Sequence, residues 1–144
     1  MSALTYDHAS TIVSAALEHG RQAGYKPLTI AVLDTGGHLV ALGRADGSGF
    51  LRPDVAVAKA HGVIGLMMDS RAIAARASDS PEFFTSVASL AGGKVFSVPG
   101  GVFVCDGDGE VIGAAGASGD ASLADEEAVV AGIEAAGLVA RTGA

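Results

Sequence analysis

Neutral imidazole can ligate iron or pass protons, and four histidines offer it in this chain. His8 and His19 lie on a helical stretch near the start and read as solvated. His38 follows an Asp34-Thr35-Gly36-Gly37 turn and reads as a rim residue. His61 differs, because it sits mid-helix in Ala58-Lys59-Ala60-His61-Gly62, where small neighbours suit either a ligand site or a partly buried structural histidine. Lys59, two positions away, belongs to another face of the same helix, and its plainest reading is a surface lysine. Arg44 and Asp46 flank the end of a strand, where they can pair with each other or hold a carboxylate. Ser118-Gly119 precede the last helix, whose free amides can take an anion, while Asp125 and Glu126 near its start complement the helix dipole.

Other constellations are explained by structure. Cys105 lies in an apolar strand with no cation beside it to favour a thiolate, so it reads as a buried small hydrophobe. Asp106, Asp108 and Glu110 alternate as calcium ligands do. Val111 stands where that loop needs glycine and Ala117 where it needs a bidentate acid, so a hairpin turn accounts for them. Gly113, Gly116 and Gly119 do not make a dinucleotide fingerprint, and no Gly-Lys-Ser/Thr phosphate loop occurs.

The elements that must position these residues follow from periodicity. Thr5 caps a first helix with Ala9, Ile12, Val13, Ala16 and Leu17 at helical spacing, ended by Gly24 and Pro27. Leu28 to Leu33 and His38 to Arg44 form a hairpin around the double-glycine turn. Pro53 and Asp54 open a second helix that runs through Met68, Asp69 to Ala77 continues as a short one, and Ser80-Pro81-Glu82 starts another that fades at Gly92-Gly93. Lys94 to Val98 reads as a candidate edge strand. Gly101 to Cys105 and Glu110 to Ala117 form a second hairpin, and Ser122 caps the last helix with Asp125 in an imperfect capping box and Leu123, Val130, Ile133 and Ala136 as its apolar stripe. The two hairpins repeat each other at a constant offset of 72, Asp34 matching Asp106 and Gly47 matching Gly119. One antiparallel sheet of about five strands with helices on it fits this order.

Composition bounds the function. The 144 residues suffice for one domain and one core, and 49% apolar content excludes disorder. Net charge is −7, so non-specific binding to nucleic acid or anionic membrane is repelled. No run of eighteen apolar residues and no leader pattern at Met1 to Asp7 is seen, and a single cysteine rules out an intrachain disulfide, so the cytoplasm is the expected compartment. Charge on only 17% of residues leaves little to solvate a surface, and Ala58, Gly62 and Gly65 give the second helix a smooth face for a partner or for its own chain.

Across nearly the whole chain, from Thr5 to Leu138, the sequence resembles the GlcG/HbpS-like family, the haem-degrading or DUF336 domain that also ends PduO-type proteins. The resemblance is carried by Val32-Leu33-Asp34-Thr35-Gly36-Gly37-His38, Arg44-Ala45-Asp46-Gly47, Ala56-Val57-Ala58-Lys59-Ala60 and Pro99-Gly100-Gly101-Val102, then by Val111-Ile112-Gly113-Ala114-Ala115-Gly116-Ala117-Ser118-Gly119 and Asp125-Glu126. Each motif is short; their order over one domain is specific. It implies a single α+β domain over 1–144 with a profilin-like three-layer fold, a five-stranded antiparallel sheet with helices on both faces, and homo-oligomers. Some members bind haem or are linked to its degradation, and others bind corrinoid-related partners. Gly62 here replaces a threonine common in the family, and Phe103 a usual proline; His61 stands beside the first gap.

Haem needs an apolar slot, an axial ligand and cations for its propionates. Following the resemblance, His61 is the expected iron ligand or acid–base group, with Lys59 and Arg44 as the cations, in a pocket between subunits of an assembly of at least four chains. Asp46, Ser118, Gly119, Asp125 and Glu126 are the expected anion or substrate contacts. Two other readings stay open. One is a small-molecule isomerase, lyase or hydrolase using His61 as acid or base; the other is a non-catalytic accessory subunit.

Overall fold

The computed structural model describes residues 3–143. Helix α1 (Tyr6–Ala23) begins where the Thr5 hydroxyl accepts the His8 amide and ends at Gly24 in the left-handed conformation, as its sequence dictates. Strands β1 (Thr29–Leu33) and β2 (Leu39–Arg44) then pair antiparallel. Helices α2 (Arg52–Leu66), α3 (Ser70–Asp79) and α4 (Pro81–Leu90) follow. Strands β3 (Gly101–Cys105) and β4 (Val111–Ser118), helix α5 (Ser122–Ala135) and strand β5 (Val139–Arg141) complete the chain.

The sheet is antiparallel throughout, in the order β2-β1-β4-β3-β5. Alternation along the strands feeds two cores. Ile30, Val32, Val102, Val104, Ala115 and Ala117 pack under α1 and α5. Leu33, Phe103, Cys105 and Ala114 turn the other way, under α2 and the helices beyond it. Both faces are covered, which is why β1 and β3 are buried at every position while the edge strand β2 leaves Leu39 and Leu42 exposed.

The repeat is real and detailed. The pairing register slips between Val32 and Leu33 in one hairpin and between Val104 and Cys105 in the other. The Asp34 carboxylate accepts the amides of Gly36 and His38, as that of Asp106 accepts those of Asp108 and Glu110. Gly37 and Gly109 close the two turns at φ 80° and 83°.

The fifth strand corrects the expectation. Lys94 to Val98 joins no ladder, because β5 holds the free edge of β3, where the Arg141 guanidinium lies 4.8 Å from the centre of the Phe103 ring. Val95 instead plugs against Gly62 of α2, and the buried Ser70 hydroxyl accepts the amides of Gly100 and Gly101, clamping the start of β3. The last helix is also entered differently. Ala121 is its N-cap with no side-chain cap, Leu123 is exposed, and Asp125 reaches back to accept the Asp120 amide.

Candidate functional site

Helix α2 divides the chemistry. Lys59 and His61 are two positions apart and cannot share a face, whereas Val57, four before His61, lies on the same side as His61. Close approach of α2 to the sheet is permitted by Gly101 and Gly116, where a side chain would overlap the Lys59 and Ala56 carbonyls. That approach seals Lys59 at the end of the sheet.

Lys59 is therefore no surface lysine. Its side chain is 3% exposed, and its Nζ lies 3.2 Å from Oδ2 of Asp125, which is equally buried. The pair joins α2 on one face of the sheet to the start of α5 on the other. Burial holds the Lys59 ammonium below its ordinary pKa, against the attraction of Asp125. Burial likewise pushes the Asp125 carboxyl up, opposed by the hydrogen bond from the Asp120 amide and the charge of Lys59. Glu126, also buried, takes a two-pronged bond from Arg71 of α3 at 2.6 to 3.1 Å. Both acids are thus engaged within the chain, which goes beyond complementing a dipole.

The remaining polar candidates gather at the same end of the sheet. The Arg52 guanidinium, not singled out from the sequence, donates to the buried Ser118 hydroxyl at 3.0 Å. Gly119 is pressed on the Pro27 carbonyl at φ 150°, leaving no room for a side chain. Arg44 reaches the Ser48 carbonyl at 3.3 Å, and Asp46 borders a separate cavity of about 400 Å³ between α1 and residues 25–28.

His61 faces elsewhere. It is half-buried beside the β1–β2 turn, where a Cβ on Gly37 would come within 3.2 Å of its ring carbon Cδ2 and 3.3 Å of Nε2. Its Nδ1 lies 3.1 Å from the Lys94 carbonyl. A carbonyl only accepts, so Nδ1 donates, and the lone pair of the neutral ring is on Nε2. The ring borders a groove of about 250 Å³ between α2 and α4, lined otherwise by Gly62, Gly65, Leu66, Val87, Leu90, Ala91 and Val95. Arg44 is remote from it: it pairs with Thr29 at one end of the β1–β2 hairpin, and the Gly37 turn closes the other. Four residue steps at about 3.3 Å each separate those ends. One chain therefore does not assemble His61, Lys59 and Arg44 into a single pocket.

The other histidines are sorted as follows. His38 is a rim residue, 80% exposed and 3.2 Å from Asp34. His8 and His19 are less solvated than expected, since Nδ1 of the first and Nε2 of the second are buried without a hydrogen bond, and Nε2 of His19 is 3.6 Å from Glu127. Cys105 is buried, and burial raises its thiol pKa. Among the described residues no group of His, Cys, Asp or Glu is arranged to hold a metal ion, and no helix is long and apolar enough to cross a membrane.

The family described as haem degrading protein HbpS-like matches residues 4–134. Among solved structures, a PduOC:heme complex is similar at 22% identity and TM-score 0.82, over 98% of this chain and 100% of that one. A double mutant of HbpS from Streptomyces reticuli is 24% identical at TM-score 0.79, over 93% and 87% of the two chains. Protein ORFY of Klebsiella pneumoniae, a DUF336 protein, is 18% identical at TM-score 0.84, over 95% and 92%. These likenesses carry the fold. No curated protein matches the sequence.

Proposed function

The chain belongs to the HbpS-like family, and on that premise we propose that it binds haem at the α2–α4 groove, with Nε2 of His61 as axial ligand. The observation that carries this reading is the imidazole itself. Its Nδ1 is tied to a backbone carbonyl, as in the outer-shell bonds that orient metal-ligating histidines, and the residue beside its Cδ2–Nε2 edge is Gly37, where a side chain would come within 3.3 Å of Nε2. The groove is otherwise apolar, as a porphyrin face requires, and a side chain at Gly65 would meet open space. A wider cleft of about 670 Å³ lies between the two hairpin turns, but Asp34, Asp106, Asp108 and Glu110 line it and would repel propionates.

A groove of 250 Å³ is smaller than the roughly 300–1,000 Å³ of ordinary ligand pockets. One chain thus supplies half a slot, and a second copy closes it. Leu90 of the groove is 89% exposed, and Phe83 and Met67 are exposed on α4 and at the end of α2, as suits a surface covered by another subunit. We place the site at a subunit boundary in an assembly of at least four chains. The unpaired, buried Cys105 is compatible with a cytoplasmic protein.

Bound haem would supply the iron for any redox or degradative chemistry. The chain's own residues would hold the metal at Nε2 of His61 and exclude water with the apolar walls, the Lys94 carbonyl fixing the ring. The enzyme reading that joined His61 to a neighbouring cation and an acid of the last helix is less favoured, because Lys59 and Asp125 bind each other. Titration of the purified protein with hemin, followed by absorbance, tests the proposal. A Soret shift lost or altered in His61→Ala is expected; no shift, or the same shift in the variant, would overturn it.

A further inference from the structure

Every residue lining the α2–α4 groove except His61 is uncharged and apolar or glycine, so haem carboxylates must find their counter-charge at its rim. The two cations expected to serve do not stand there: Lys59 is buried against Asp125, and Arg44 is at the far end of the β1–β2 hairpin.

We propose that Lys94 is the cation that recognises a carboxylate arm of the ligand in this groove, which makes the groove selective for flat, apolar-faced molecules bearing ionised carboxylates over their neutral counterparts. This rests on the haem reading above. Lys94 follows the end of α4 in a tight turn. There the Gly93 amide donates to the Ala88 carbonyl at 2.7 Å and the Lys94 amide to the Ala91 carbonyl at 3.3 Å, with Gly92 and Gly93 at φ 65° and 85°. The turn seats Lys94 between Ala91 and Val95, both of which line the groove. Its carbonyl accepts the His61 Nδ1 proton. One residue therefore orients the imidazole through its backbone and carries a positive charge on its side chain.

Charge bookkeeping favours this residue. Lys94 is exposed, and its side chain has no ion pair or hydrogen bond among the described residues. Arg21, Arg71 and Lys59 are each held by an acid and Arg52 by Ser118, while Lys26, also exposed, lines the separate cavity beside α1. In a chain of net charge −7 an anionic ligand is repelled at long range, so a local cation beside the slot has an outsized effect on binding.

The test compares hemin with hemin dimethyl ester, whose carboxylates are capped, on the wild-type protein and on Lys94→Gln and Lys94→Arg. An exposed ion pair at the upper end of its usual strength corresponds to a preference of about fivefold. Wild type is expected to bind hemin about fivefold more tightly than the ester, with a preference that falls as salt is raised. Lys94→Gln is expected to lose the preference while keeping the wild-type Soret position, because the axial ligand is untouched, and Lys94→Arg to retain it. An equal preference in wild type and Lys94→Gln, or none in wild type, overturns the assignment of Lys94 while leaving haem binding intact. Failure of wild type to bind either compound overturns the haem reading and this inference with it.

Discussion

Replacing Lys59 with methionine removes a charge from a place where its partner cannot escape. Asp125 would keep the hydrogen bond from the Asp120 amide but lose its cation partner while about 2% exposed. Breaking a buried pair in this way costs about 3–5 kcal/mol, a large part of the 5–15 kcal/mol that holds a domain together. With an unfolding entropy of roughly 2.1 cal/mol/K per residue, a chain of 144 residues loses about 10–16 °C of melting temperature. Burial raises the folded pKa of Asp125, so the sign with pH is fixed. Without Lys59 the value rises further, so the loss is full above the variant's folded value, shrinks as pH falls through it, and is gone below the wild-type folded value, where the carboxyl is protonated in both proteins. The double variant Lys59→Met/Asp125→Asn removes both charges and keeps an acceptor for the Asp120 amide, so it should recover most of the stability. Urea denaturation of the four proteins at neutral and acidic pH measures this as a double-mutant cycle. A single-variant loss below about 1 kcal/mol, or a double variant as damaged as the sum of the singles, would refute the reasoning.

Three further outcomes are expected. Gly37→Ala and Gly109→Ala impose the same left-handed strain, about 1–2 kcal/mol, but only the first brings a Cβ against His61, so only the first should also weaken hemin binding in a titration. Cys105 should react with a thiol reagent only as fast as the protein opens, so its modification rate should follow the fraction unfolded across a urea series. Light scattering at micromolar concentration should return the mass of at least four chains; a mass near 14 kDa would leave the groove a half-site on open surface.

Much of the fold was legible because it is written twice. The acid that opens each turn, the glycine that closes it and the flanking strands recur at an offset of 72, and local turn chemistry suffices to read them. The fifth strand was not legible, since Val139–Arg141 is three residues long and gains its pairing from β3, while the longer apolar run at Lys94 to Val98 is spent plugging Gly62. The Lys59–Asp125 pair was not legible either. Its members are 66 positions apart on opposite faces of the sheet, and each alone looks like an ordinary helix charge. His61 stood out by its small neighbours, yet what orients it is the backbone carbonyl of Lys94, and a backbone partner leaves no mark on residue type. Gly37 was visible as a turn glycine but not as the spacer beside an imidazole.

The central claim is that haem sits in the α2–α4 groove with its iron on His61. A crystal structure of the protein grown with hemin tests it most directly. The iron should be bonded to Nε2 of His61, with the porphyrin between Gly65 and Leu90 of one copy and the surface of a second. Haem ligated by any other residue, or lodged in the cavity beside Asp46 or the acidic cleft between the hairpin turns, would contradict it.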